Sequence, residues 1–91
     1  MKPLLPHISI GSDESGCVIL EIEDFELFDF IEDYLTEKCN LPYESRKSRE
    51  LVGGEVITLY FPPNTKSDHV KQALMRLSHS EIEAIYRLNN A

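Results

Sequence analysis

An α+β fold, with one antiparallel sheet and helices packed on one of its faces, follows from three features of the sequence. Extended segments come in pairs around glycine-containing turns, over residues 8–22 and 43–61. Each pair is followed by a segment whose apolar residues recur at helical spacing. The chain has 91 residues, 42% hydrophobic and 27% charged, which suits one core and a single domain over residues 1–91. The resulting order is β-β-α-β-β-α-α, with about four strands.

No element is read ahead of Ile8, where Pro3 and Pro6 interrupt a short stretch. Ile8-Ser9-Ile10 alternates with period two and enters the polar loop Gly11-Ser12-Asp13-Glu14-Ser15-Gly16. Cys17-Val18-Ile19-Leu20-Glu21-Ile22 returns as a strand. Its first four residues are apolar on both faces, so it is expected at the centre of the sheet.

Asp24 is positioned to cap a helix that runs to about Cys39. At 100° per residue, Leu27, Phe28, Phe30, Ile31, Tyr34 and Leu35 share an arc of about 160°. Glu26, Asp29, Glu32, Asp33 and Glu37 occupy the opposite arc. Asn40 can end the helix in the left-handed conformation, and Pro42 prevents its continuation.

The second hairpin is read as Tyr43–Val52 and Glu55–Phe61 joined by Gly53-Gly54. That turn would set Val52 opposite Glu55, Arg49 opposite Thr58 and Lys47 opposite Tyr60. The returning strand is β-branched and aromatic, hence internal; Glu44 to Glu50 is polar, hence an edge. After Pro62-Pro63-Asn64, Thr65 or Ser67 is expected to cap a helix with the stripe Val70, Ala73, Leu74 and Leu77, and Met75 on the far side. Ser78-His79 breaks it. Ser80-Glu81-Ile82-Glu83 matches a capping box for a last helix, with Ile82, Ile85, Tyr86 and Leu88 buried and Glu83–Arg87 paired. Asn89-Asn90-Ala91 is expected to fray.

Charge is the most informative feature. The chain carries a net −7, and residues 1–41 hold only Lys2 and Lys38 against ten acids, or −8, leaving +1 for the remainder. Generic nucleic-acid binding is excluded, because it needs a cationic surplus. No apolar run reaches the roughly 20 residues that span a bilayer, so no membrane association is expected. The start of the chain is too short and Pro-broken for a signal peptide, and Cys17 and Cys39 form no C-x-x-C or metal spacing. A cytoplasmic protein with two reduced thiols is the expectation.

The residues that could carry catalysis form no working pattern. His7, His69 and His79 share no metal-ligand spacing, and His79-Ser80-Glu81 lacks the Pro-Cys-x-x-Cys partner of the zinc deaminases. The Gly11–Gly16 loop lacks the Lys-Ser/Thr of a phosphate loop and adds two carboxylates. No serine sits in a Gly-x-Ser-x-Gly elbow. A helix-turn-helix reading of the last two helices fails on charge, with Arg87 set against Glu81 and Glu83. No enzyme, cofactor or metal site is expected.

Two candidate binding surfaces remain. One is the helix face of Glu26, Asp29, Glu32, Asp33 and Glu37, with Asp13, Glu14, Glu21 and Glu23 as candidates to extend it. The other is the basic edge of Arg46, Lys47 and Arg49, which could bind an anion, add a partner's strand or form a homodimer. Tyr43 and Met75 are the apolar residues placed to anchor an interface. The expected function is masking of a basic protein partner through the acidic face, as an immunity- or antitoxin-type inhibitor of a toxin or nuclease would do. The alternative is a small regulatory domain that binds an anionic ligand at the basic edge.

Overall fold

A computed structural model describes residues 1–52 and 54–90; the side chains of residues 89 and 90 also lie outside the description. The α+β class and the single antiparallel sheet are as the sequence predicts, but the sheet has five strands. These are β1 (Lys2–Leu5), β2 (Ile8–Ser12), β3 (Val18–Ile22), β4 (Ser45–Leu51) and β5 (Gly54–Tyr60). Their spatial order is β1-β2-β3-β5-β4. Strand β3 is central and β4 is an edge, as their compositions require.

The strand missed by the sequence reading is β1, and its prolines explain the miss. Proline cannot donate to a ladder, so it argues against a central strand but is tolerated at an edge. β1 is that other edge, with a bulge between Pro3 and Leu5. Pro6-His7 then turns the chain into β2. A type II turn requires a positive φ at its third residue and commonly has Pro at its second; Pro6 and His7, with φ 65°, meet both.

The faces of the sheet are read from its register. Ile8 pairs with Ile22, Ile10 with Leu20, Leu20 with Leu59, and Ile22 with Ile57. All of these side chains are buried, in one cluster with Leu27, Phe28 and Ile31 of the first helix and with the later helices. The other face carries Ile19, Glu21, Lys47, Arg49, Thr58 and Tyr60, and among the described residues the helices pack on the core face instead.

Helix α1 (Phe25–Asp33) continues through a π-helical turn at Tyr34–Lys38. Asp24 caps it, its carboxylate accepting the Leu27 N–H at 2.9 Å. Asp24→Ala is therefore expected to cost about 0.5–2 kcal/mol, read as a lower urea midpoint; an unchanged midpoint would show that the cap contributes nothing. At the other end the Cys39 N–H bonds the Tyr34 carbonyl at 3.2 Å, and the Leu41 N–H bonds the Leu35 carbonyl at 2.8 Å. Asn40 has φ 54°, the left-handed residue that closes this end.

Helix α2 (Ser67–Leu74) buries Val70, Ala73 and Leu74. Neither Thr65 nor Ser67 caps it: Lys66 occupies the cap position without a side-chain bond. The Tyr34 hydroxyl donates to the Ala73 carbonyl at 2.7 Å, tying α2 to the π turn. Burial and the neighbouring Cys39 raise that phenol above its ordinary range. Helix α3 (His79–Asn90) starts two residues earlier than the sequence reading placed it. The capping serine is Ser78, whose hydroxyl accepts the Glu81 N–H at 3.0 Å. Ser80 fits the same Ser-x-x-Glu pattern, so the motif alone could not choose between overlapping boxes. Ile82 is fully buried and Ile85 half-buried, but Leu88 is 82% exposed, a correction to the predicted buried side. The expected fraying of 89–91 falls largely outside the described residues.

Candidate functional site

Four of the five acids, Glu26, Asp29, Glu32 and Asp33, stand on α1 where the periodicity places them, and Glu37 follows in the π-helical turn. Phe28, Ile31 and Leu35 are buried below, while Glu26, Asp29, Asp33 and Glu37 are exposed and Glu32 is half-buried. The carboxylates of Asp29, Glu32 and Asp33 gather within 4.8 Å of one another. Among the described residues, none of the five makes an ion pair. Their charge is left for solvent or for a partner.

Glu32 has a separate task. It accepts a hydrogen bond from the Tyr43 hydroxyl, and the Tyr43 ring stands edge-on to Phe28 at 6.5 Å. That hydrogen bond, followed by burial, raises the Tyr43 phenol above its ordinary range. Tyr43 is therefore an internal brace between α1 and the start of β4, not an exposed anchor. Met75 is exposed at 58%, as its helix position implied.

The acids expected to extend the face do not join it. Asp13 closes the β2–β3 loop, its carboxylate accepting the N–H groups of Ser15 and Cys17 at 2.9 Å each. Gly16, with φ 85°, completes that turn. Glu21 lies on the sheet face away from the helices, opposite Thr58. Glu23 meets His7, its carboxylate 3.4 Å from the imidazole Nδ1.

The basic edge is divided by the pleat of β4. Arg46 pairs with Leu59 on the helix side, and its guanidinium lies 4.9 Å from the Phe28 ring centre. Lys47 and Arg49 point to the open face, with the Lys47 amine 5.5 Å from the Tyr60 ring centre. Alternation along a strand makes this unavoidable for residues 46, 47 and 49. The three bases do not form one anion site.

The register of this hairpin also differs from expectation. Leu51 pairs with Gly54, Lys47 with Thr58 and Ser45 with Tyr60, two residues from the predicted partners. The two registers differ by an even number, so the same side chains face the core in both and the hydrophobic pattern could not separate them. The conformation predicted for Gly53 lies outside the described residues.

His7 is the polar residue whose surroundings the sequence reading missed. Its ring stacks on Tyr86 with centroids 3.6 Å apart and planes within 9°. Nε2 lies 3.0 Å from Glu83, close enough for an ion pair although misaligned for a hydrogen bond. Glu83 also approaches Arg87, at 3.6 Å. The only sequence signal was the Pro6-His7 turn. The cluster fastens α3 to the β1–β2 turn, at the opposite end of the sheet from Tyr60, so His7 and Tyr60 share no pocket.

Cys17 and Cys39 are unbridged. Burial, then the carboxylates of Asp13 and Glu44, push the Cys17 thiol above its usual range, away from the thiolate that reacts. No described helix is long and apolar enough to cross a membrane. No family model, curated protein or solved structure matches the chain.

Proposed function

We propose that this is a small, non-catalytic binding protein that masks a basic protein partner through the acidic face of α1. An inhibitor of the immunity or antitoxin type, blocking a cationic groove of a toxin or nuclease, is the concrete form of this reading. The observation that carries it is a row of five carboxylates, four on α1 and Glu37 on the π-helical turn that follows, whose opposite side is locked into the core, with no ion-pair partner among the described residues. Like charges at this spacing repel and lower stability, and the cost is recovered when a cationic surface arrives. The anion-binding alternative has no comparable support, since Arg46 is separated from Lys47 and Arg49 by the sheet.

The test is affinity capture from the source organism's lysate at low salt, with wild type and the variant Asp29→Asn, Asp33→Asn, Glu37→Gln as baits; Glu32 is kept because it accepts the Tyr43 hydroxyl. The expected result is a basic protein retained by wild type, eluted by salt and lost by the variant. Equal retention by both baits would sink the proposal.

A further inference from the structure

The tip of the β4–β5 hairpin exposes apolar side chains that the fold does not use. Val52 is fully exposed, Leu51 is 49% exposed and Phe25, at the start of α1, is 45% exposed. Hairpin tips ordinarily carry Gly, Asn, Asp or Ser, so a valine here serves no turn geometry. Two shallow clefts of about 340 and 240 Å³ flank the tip, one toward the start of α1 and one toward Tyr86 of α3. Leu51, Gly54 and Glu55 border both, so the two clefts meet in one groove around the tip, with Glu50 and Glu55 on the helix side of the sheet and Leu51 on the open side.

Every charged side chain that lines either cleft is acidic: Glu23, Asp24, Glu50 and Glu55. Glu50 and Glu55 are directly opposite each other in the ladder, an arrangement that destabilises a hairpin. Neither has an ion-pair partner among the described residues. Glu26, next in sequence to Phe25, begins the acidic face of α1, so the groove lies at the N-terminal end of that face.

We infer that this groove docks a segment of the same basic partner, one presenting Lys or Arg next to apolar side chains. The segment wraps the tip: its cation sits between Glu50 and Glu55 beside Phe25 on the helix side, and its apolar residues pack on Phe25, on Val52 and, across the strand, on Leu51. The inference rests on the proposed masking of a basic partner and adds where the apolar anchor lies. A second copy of the chain does not fit, because it would bring a −7 molecule and its own acidic groove against this one. Phosphate-bearing surfaces are repelled for the same reason.

The test uses two synthetic peptides as probes, one alternating Lys with Leu and one alternating Lys with Ser, titrated into the isotope-labelled full chain at low salt. The Lys–Leu peptide is expected to bind about tenfold more tightly and to shift the amide signals of Phe25, Leu51, Val52 and Glu55. Leu51→Ser with Val52→Ser should abolish that advantage while leaving the Lys–Ser affinity unchanged. Both residues are exposed, and an unchanged amide spectrum elsewhere confirms the fold. Equal affinity for the two peptides, with shifts confined to α1, would overturn the inference and leave the masking proposal standing. Binding at the tip that ignores substitution of the α1 acids would support the groove and remove the α1 face from the interface. Binding of neither peptide would overturn both.

Discussion

Replacing Phe28 with Ala is expected to lower folding stability by about 3–5 kcal/mol, the usual cost of removing a buried aromatic ring. Domains of this length have about 5–14 kcal/mol in total, so the variant would keep only part of its stability. Phe28 is 1% exposed and lies where α1 meets the sheet. Its ring also receives the Arg46 guanidinium, the edge of Tyr43 and the tilted ring of Phe25, with centroids 5.6 Å apart for the last pair. Removing it leaves a cavity in the core and frees the brace that runs through Tyr43 to Glu32. Phe28→Leu preserves most of the apolar volume and should cost less than about 1.5 kcal/mol. Urea unfolding of the two variants separates packing from ring contacts. A loss near 1 kcal/mol for Phe28→Ala would show that the ring is not the joint between helix and sheet.

What the sequence made legible follows from the physics that writes each signal. Helix α1 was readable because its face pattern, Asp24 cap and Asn40 terminus are local and agree with one another. β3 and β4 were readable as centre and edge because their compositions differ so sharply. β1 was hidden because Pro3 opposes strand structure unless the residue faces an open edge, which depends on the whole sheet. The hairpin register was hidden because two solutions bury the same side chains. The acidic face survived into three dimensions because it lies on one helix. The basic trio did not, because neighbouring residues of a strand point to opposite faces. His7, Glu23, Glu83 and Tyr86 come from three separated segments, and no spacing rule links them.

The largest functional effect is expected from neutralising the acidic face while keeping the fold intact. Asp29→Asn, Asp33→Asn and Glu37→Gln together are the appropriate change, with Glu32 left in place because it accepts the Tyr43 hydroxyl. Electrostatic steering accelerates association about 10- to 1000-fold when opposite charges face each other at low salt. Removing three of five acids should therefore slow association with a basic partner by about 10- to 100-fold. The dissociation rate should change far less, because steering acts on the encounter. Screening shortens the reach of charge to about 3 Å at 1 M salt, so the rates of wild type and variant should converge as salt is raised. Stability provides the control. Asp29 and Asp33 are one helical turn apart, and relieving such a like-charge pair is worth about 0.2–0.5 kcal/mol, so the variant should be as stable as wild type or slightly more so. Glu37 follows the switch to π-helical spacing and adds little to that gain. Stopped-flow association across a salt series, with urea unfolding on the same samples, measures both effects. Unchanged association in a fully folded variant would mean that the row of carboxylates is only a solvated helix face.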